Sequence, residues 1–310
     1  MLKLAAIIGP TAVGKTELSL QIAKELGAEI ISCDSMQVYR DMDIGTAKAS
    51  REEQAMVKHH LLDIVNPDED FTVADYQARV KTIISKLNRQ SVLPLLVGGT
   101  GLYYQAIADD YTFYPMEKKQ EVRDKWRSII NENGLNYAYD YLKKIDIDYS
   151  YIISPHDEKR IIRAIEVYEL TGKPFSTLQL KNPNTYNLSS VGIFLDRAKL
   201  YDRINSRVIL MLENGFIEEV IRLRNNNYDL ECKSMQGLGY LQVINYLEGF
   251  LTKEQMIYEI QKETRRFAKR QYTWFKKDKR IIWFNVEDYM DNTVLAKKII
   301  KHIKGQFSIV

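Results

Sequence analysis

The chain has 310 residues, of which 45% are hydrophobic and 27% are charged, and its formal net charge is +3. These values are ordinary for a globular protein of about two domains. No apolar run approaches the ~18 residues that a transmembrane helix needs, and no secretory signal pattern opens the sequence. The two cysteines and four histidines show neither zinc-ligand spacing nor a disulfide framework. We therefore expect a cytoplasmic, monomeric protein without a membrane segment.

The first predicted elements are an apolar strand over Leu4–Ile8, a glycine loop, and a helix from Lys15 to about Leu26. The loop fits the pattern G-x-x-x-x-G-K-[ST]. In such a loop the backbone N–H groups, the lysine and the helix dipole hold a di- or triphosphate, and the threonine hydroxyl can bind Mg²⁺. We predict phosphate binding by Gly9, Pro10, Thr11, Ala12, Val13, Gly14, Lys15 and Thr16, with Thr16 as the metal ligand.

A polar segment beginning with Asp34 follows the second predicted strand, residues 28–32. Ligands of an open parallel sheet bind at the carboxyl ends of its strands, so Asp34 should lie beside the phosphate loop. On position alone, a functional carboxylate and a residue that only caps the next turn are equally good interpretations of Asp34. Gln37 and Tyr39 add an amide and a ring to the same edge.

The third and fourth predicted strands cover residues 61–65 and 92–97, with a helix from Val73 to about Arg89 between them. We give the preceding His59 and His60 a structural role, because adjacent histidines cannot both face one site. The fourth strand ends in Gly98-Gly99-Thr100 and not in the Asp or Glu that a P-loop kinase or hydrolase uses for its metal. This neutral strand end argues against a plain phosphotransferase.

Residues 112–186 change to a purely helical pattern, which predicts an insertion in a core formed by 1–111 and 187–310. Helices are expected over 116–133 and 135–145, and from a Ser154 cap to Thr171. Lys159, Arg160 and Arg163 lie within one turn of the last helix. They suit phosphate binding, or else form a solvated basic face.

The remaining chain is predicted to return to the sheet with strands over 190–195 and 281–284 and a covering helix over 294–303. The helix over about 199–213 carries Arg203 and Arg207 one turn apart, which suits a second grip on a diphosphate or two surface ion pairs. Another helix is predicted to open at 236–240.

A capping box at 252–255 begins a long helix to about Phe275. An apolar stripe of Met256, Ile260, Phe267 and Trp274 should pack on the core. Residues 262–280 contain nine basic and two acidic side chains, interleaved with aromatic ones. This pattern predicts contact with a nucleic-acid backbone and unstacked bases, the alternative being a charged solvated helix.

Together these motifs resemble the tRNA dimethylallyltransferase family, also called tRNA isopentenyltransferases, in its bacterial form and over nearly the whole chain. The matching stretches are 9–16, 34–39, 98–103, 156–163, Arg203 with Arg207, 237–240 and 269–276. The resemblance implies a P-loop NTPase-like α/β fold, a parallel sheet flanked by helices, with an all-helical insertion domain. It also implies transfer of a dimethylallyl group from dimethylallyl diphosphate to N6 of the adenosine just 3′ of the anticodon, position 37 of the tRNA.

The same resemblance implies that Asp34, Thr100 and Arg207 are catalytic, that Mg²⁺ is the cofactor and that the anticodon stem-loop of tRNA is the partner. The implied tRNA contacts are Asp34, Ser35, Met36, Gln37, Thr100, Arg123, Lys159, Arg160, Ile161, Ile162, Arg163, Gln236, Gly237, Leu238, Gly239, Tyr240, Lys269, Arg270, Gln271, Tyr272, Thr273, Trp274, Phe275 and Lys276. Two alternatives are a prenyltransferase acting on free adenine nucleotides and a P-loop small-molecule kinase. The first gives no reason for the basic helix, and the neutral strand end weighs against the second.

Overall fold

The computed structural model describes residues 1–113, 119–178 and 180–308. Its central sheet is built from the strands β1 (Leu2–Ile8), β2 (Ala28–Cys33), β3 (His59–His60), β4 (Leu93–Gly98), β5 (Tyr186–Phe194) and β6 (Ile281–Asn285). All neighbours pair in parallel, in the order β3-β2-β4-β1-β5-β6. Parallel strands are covered on both faces, which explains the uninterrupted apolar run that ends β1. The predicted fold class is confirmed.

Helices surround this sheet and form a separate insertion. They are α1 (Lys15–Leu26), α2 (Arg51–Met56), α3 (Val73–Arg89), α4 (Gly101–Ala108), α5 (Gln120–Asn133), α6 (Leu135–Ile145), α7 (Ile147–Ile152), α8 (Glu158–Thr171), α9 (Phe175–Leu178), α10 (Arg197–Glu213), α11 (Phe216–Asn225), α12 (Tyr240–Leu247), α13 (Lys253–Phe275) and α14 (Asn292–Phe307). Within the described ranges no helix is both long and apolar enough to cross a bilayer.

Three apolar clusters hold the sheet-containing unit together. One lies under α1 and α14, and another lies under α3 and α4 on the opposite face. The third joins α10–α13 to the segment that follows β2. Because burial of apolar surface is the main stabilising contribution, these clusters set where the loops at the carboxyl ends of the strands meet.

The chain divides into a unit of Met1–Ala108 with Asn184–Val310 and a unit of Asp109–Pro183. The predicted division placed the insertion at 112–186. Its carboxyl limit differs because Tyr186 already pairs with Leu2 at the start of β5. Inside the insertion, α5–α8 pack around a core that includes Trp126 and Leu142.

Several predicted elements were wrong in detail. The strand over 61–65 does not form, because Leu61 and Asp63 have φ of 65° and 54° and only Val65 makes an isolated bridge. α8 is capped by the Asp157 side chain, which accepts from Arg160 N at 3.1 Å, and not by Ser154. The helices α4, α7, α9 and α11 were not predicted. The start of the helix predicted at residue 116 lies outside the described residues.

The buried stripe of α13 also differs from the predicted one. Its buried members are Met256, Ile260, Ala268, Gln271 and Phe275. A straight helix drifts relative to a seven-residue repeat, so the inward face moves away from the predicted members toward its carboxyl end.

Candidate active site

The loop between β1 and α1 is shaped by close backbone approaches. A Cβ at Gly9 would lie 2.4 Å from the Ile193 carbonyl oxygen on β5, so only glycine fits there. Gly14 begins α1 in the left-handed conformation, with φ of 102°. From α13, the Gln271 side-chain oxygen accepts a hydrogen bond from Thr11 N at 2.8 Å. Sequence thus shapes the loop locally, and a distant helix holds it in place.

Lys15 is folded onto this loop. Its Nζ donates to the carbonyl oxygens of Gly9 and Pro10 at 2.9 and 2.7 Å. Burial and, to a smaller extent, the nearby positive charge of Arg207 lower the pKa of Lys15 to about 7, although the negative charge of Asp34 acts in the opposite direction. An anion entering beside this amine would stabilise its protonated form.

Asp34 and Arg207 share a recessed position that still opens on a cavity. Asp34 Oδ1 accepts from Met36 N at 2.8 Å, so the carboxylate does cap its turn. Burial nevertheless raises the pKa of Asp34, against the stabilising effects of Met36 N and of Lys15. Burial lowers the pKa of Arg207, which Asp34 counteracts. A carboxylate with a raised pKa beside two cations suits proton transfer at neutral pH.

The end of β4 braces the same segment. Thr100 N donates to Cys33 O, and Thr100 Oγ1 accepts from Ser35 N, both at 3.0 Å. A Cβ at Gly98 would lie 2.2 Å from Cys33 O, and one at Gly99 would lie 2.2 Å from Gln271 Nε2. The two glycines therefore allow β2 and α13 to approach, while Thr100 orients the backbone next to Asp34.

Two cavities meet at these residues. A cavity of about 370 Å³ is lined by the phosphate loop, Lys15, Thr16 and Arg203. A second cavity of about 280 Å³ is lined largely by apolar side chains such as Met36 and Leu238. The residues that line both are Thr11, Asp34, Thr46, Arg207 and Phe267. One cavity suits a phosphate group and the other an apolar or aromatic one, with Asp34 between them.

The side chains near the phosphate loop suit a Mg²⁺ ion that is held mainly by the oxygens of a bound phosphate group and of water. Among the residues that the structure describes, no group of three or more His, Cys, Asp or Glu side chains is placed to hold a metal. Thr16 is exposed at the first turn of α1 and lines the phosphate cavity. Mg²⁺ commonly takes one or two protein ligands plus phosphate oxygens and water, which these residues permit.

The predicted tRNA contacts fall into three groups by exposure. The exposed ones are Lys159, Arg160, Gln236, Lys269, Arg270, Thr273 and Lys276. Those of intermediate exposure are Asp34, Ser35, Met36, Gln37, Thr100, Arg123, Arg163, Gly237, Leu238, Tyr272 and Trp274. The buried ones are Ile161, Ile162, Gly239, Tyr240, Gln271 and Phe275.

The buried side chains are engaged inside the protein, which argues against direct contact of these side chains with RNA. Ile161 and Ile162 belong to the apolar core of the insertion. Phe275 packs edge-on against Tyr104, with ring centroids 5.7 Å apart. Gln271 is buried between the phosphate loop and the end of β4, and Tyr240 is 1% exposed. At these positions the side chains support the fold, and Gln271 and Tyr240 also line the two cavities.

Arg123 and Arg163 are engaged inside the insertion. Arg123 binds the Glu166 carboxylate with two hydrogen bonds of 2.9 Å, and Arg163 binds it at 2.6 Å. The Glu166 side chain is completely buried. These two arginines therefore neutralise an internal charge, and of the three basic residues predicted on α8, Lys159 and Arg160 are exposed.

Sequence reasoning missed three contributors to the site. Thr46 and Ala47 line the phosphate cavity together with Phe267 of α13. The polar stretch Gly45-Thr46-Ala47-Lys48 indicated only a loop in sequence. Its one signal was the glycine at position 45, and Phe267 was predicted to pack on the core.

The fold and the site define a P-loop-type α/β protein in which a phosphate loop faces a carboxylate and an arginine, with a neutral residue at the end of β4. The family described as IPP transferase matches residues 37–278. The chain belongs to this family.

Relatives agree over the full length. A tRNA dimethylallyltransferase of Syntrophomonas wolfei is 59% identical over 310 residues, which cover 100% of both chains. One from a Thermoanaerobacter species is 45% identical and covered to 99% in each chain. The crystal structure of the tRNA isopentenylpyrophosphate transferase from Bacillus halodurans matches with 39% sequence identity and a TM-score of 0.74. The match covers 100% of this chain and 99% of that one. A eukaryotic dimethylallyltransferase acting on tRNA is 26% identical with a TM-score of 0.79, covering 97% of this chain and 78% of that one.

Proposed function

We propose that this chain transfers the dimethylallyl group of dimethylallyl diphosphate to N6 of the adenosine at position 37 of tRNA, giving N6-(dimethylallyl)adenosine and diphosphate. The observation that carries the proposal is the position of Asp34, recessed beside Lys15 and Arg207 where a phosphate cavity and an apolar cavity meet. Family membership and the names of the relatives support the same reaction.

In the proposed complex the diphosphate occupies the phosphate cavity. Loop N–H groups, Lys15 and Arg207 hold its oxygens, with Arg203 at the cavity wall. These donors stabilise the charge that grows on the diphosphate as the allylic C–O bond breaks. Thr16 would hold a Mg²⁺ ion, which would supply further positive charge to the leaving group.

Asp34 serves as the general base of the reaction. The exocyclic N6 amine is a weak nucleophile, because its lone pair is conjugated with the purine ring. As the N6–C bond forms, the nitrogen gains positive charge and Asp34 accepts one of its protons, while the C–O bonding electrons leave with the diphosphate. The raised pKa of the buried carboxyl makes it a stronger base than an exposed aspartate.

Exposed cations supply the tRNA contacts. Lys269, Arg270 and Lys276 on α13, and Lys159 and Arg160 on α8, offer positive charge for the phosphates of the anticodon stem-loop. The target base leaves its stack to reach a recessed carboxylate, which costs a few kcal/mol in a duplex and less in a loop. The proposal includes a monomeric enzyme in the cytoplasm, where tRNA is processed.

Labelled dimethylallyl diphosphate with bulk tRNA, AMP or ATP as acceptor tests the proposal directly. We expect label only in tRNA, and nuclease digestion should recover it in one nucleoside, N6-(dimethylallyl)adenosine. Label in AMP or ATP at a comparable rate would identify a prenyltransferase of free nucleotides and overturn the assignment of the acceptor.

A further inference from the structure

A buried glutamate of α11 binds the backbone of a distant loop. Glu219 is 1% exposed. Its Oε2 accepts from the backbone N–H groups of Asp43 and Ile44 at 3.0 and 2.7 Å. Its Oε1 accepts from Gly45 N at 3.1 Å and from the Tyr240 hydroxyl at 2.8 Å. One carboxylate thus satisfies three consecutive loop donors, an arrangement that compensates its burial without a cation.

Aromatic rings hold the same loop from the side. A Cβ at Gly45 would lie 2.3 Å from the Phe216 ring and 2.5 Å from the Tyr240 ring. These two rings pack edge to face, with centroids 5.1 Å apart and an interplanar angle of 89°. Gly45 therefore fits into a notch between two rings, one of which, Tyr240, also binds Glu219, so the position of the loop is well defined.

The loop passes this position on to the active site. The carbonyl oxygens of Thr46 and Ala47 accept from the Gln37 side-chain Nε2 at 3.3 and 3.2 Å. Gln37 Oε1 accepts in turn from Ser32 Oγ at 2.9 Å. The backbone of Gln37 also helps to stabilise the Asp34 carboxylate. Thr46 itself lines both cavities beside Asp34.

We propose that Glu219 is a positioning residue for the prenyl-transfer reaction: through the loop 43–47 and the Gln37 side chain it sets the geometry of the acceptor next to Asp34. The inference rests on the proposed function and deepens it. It predicts a split between substrates, because the phosphate loop and Lys15 are held by other contacts, namely those of Gln271 and of the loop carbonyls.

Glu219→Gln tests this role, since it places an NH₂ group against backbone donors while keeping the side-chain volume. We expect turnover to fall by about 10- to 100-fold and the tRNA KM to rise, because small misplacements of reacting groups cost this much. The affinity for dimethylallyl diphosphate, measured by calorimetry, should stay within about twofold. Glu218→Gln, the same change at the neighbouring exposed residue of α11, is the matched control and should behave like the unmodified chain.

A merely structural role would reduce the active fraction and leave both KM values unchanged. Folded Glu219→Gln with wild-type turnover and tRNA KM, or with equal losses for donor and acceptor, would overturn the proposal. If this variant does not fold, Tyr240→Phe, which removes one of the four hydrogen bonds to Glu219, replaces it. It should show a smaller fall in turnover and a smaller rise in the tRNA KM, again with unchanged donor affinity. No transfer by the unmodified chain would instead count against the proposed function, so the two failures are distinct.

Discussion

The cavity of the core unit and the interior of the insertion both contain buried charges, but they balance them differently. In the insertion, the fully buried Glu166 is bound by Arg123 and Arg163 in a closed set of short hydrogen bonds. In the cavity, Lys15 donates to neutral carbonyls, and both Lys15 and Arg207 interact electrostatically with the Asp34 carboxylate.

The difference distinguishes a structural charge cluster from a functional one. A closed cluster lowers the pKa of its carboxyl, whereas in the open cluster burial raises the pKa of Asp34 and lowers those of its neighbouring cations. Such opposed shifts cost folding free energy and persist where a ligand or a reaction uses them. Each cluster has one acidic and two basic side chains, so their charge types do not separate them, and their surroundings do.

Removing the carboxylate of the open cluster should have the largest effect. Asp34→Asn keeps an oxygen for Met36 N but cannot accept a proton, so we expect single-turnover transfer to fall by at least ~10²-fold while donor and tRNA affinities change little. In the unmodified chain, activity should be lost as pH falls through the raised pKa of Asp34, because the base must be unprotonated. A variant within a few-fold of wild-type turnover would leave Asp34 as a turn cap only.

Removing Arg207, the recessed arginine of the open cluster, should have the second-largest effect. We expect Arg207→Ala to weaken dimethylallyl diphosphate binding and to lower kcat by about 10²-fold, because charge on the leaving diphosphate grows in the transition state. Lys15→Ala should likewise weaken donor binding. Arg222→Ala, an exposed arginine on α11, serves as control. Unchanged donor kinetics in Arg207→Ala would return this residue to an ordinary ion pair.

Disrupting the closed cluster should lower the stability of the insertion. Glu166→Gln should destabilise the insertion by about 2 kcal/mol, less than for a wholly buried pair because both arginines are partly exposed. Burial raises the pKa of Glu166, but hydrogen bonds from Arg123 and Arg163 outweigh it and the net pKa is lowered. The stabilisation is therefore present above the ordinary carboxyl value of 4.5 and lost as pH falls below it.

Hydrogen exchange of the α8 amides in the full chain measures this loss, since the two units need not unfold together. Asp140→Asn, which breaks the exposed ion pair with Lys143, should leave the protection of these amides unchanged. Equal effects of the two substitutions would show that the buried cluster contributes no more than a surface pair.

Substitution of the exposed cations outside both clusters should have the smallest effect per residue. We expect Arg160→Ala combined with Arg270→Ala to raise the tRNA KM severalfold. The double substitution should also reduce the slope of log tRNA affinity against log salt concentration by roughly 0.7 to 0.9 per lost phosphate contact. Donor affinity should not change. If both the KM and the salt slope persist, these faces are only solvated, and tRNA binds by another surface.

Local chemistry made much of the fold predictable. The phosphate loop, the apolar strands and the capping box at Thr252 each depend on residues within a few positions. The placement of Asp34 at the edge next to the phosphate loop also followed, since parallel strands end on one side. The strand over 61–65 failed because left-handed residues interrupt an apolar run, which hydrophobicity does not reveal.

Sequence thus sufficed for the elements and for the chemical types brought to the sheet edge, because backbone propensity and apolar periodicity act over short distances. Tertiary packing decided which charges and rings are available. Gln271 and Phe275 turn inward on a helix that looks basic and aromatic. Glu219 reaches a loop about 175 positions away, a pairing that appears only when α11 is packed on the core. Long-range contacts of this kind depend on how the apolar faces of helices and strands pack together, and this packing is determined by the whole chain.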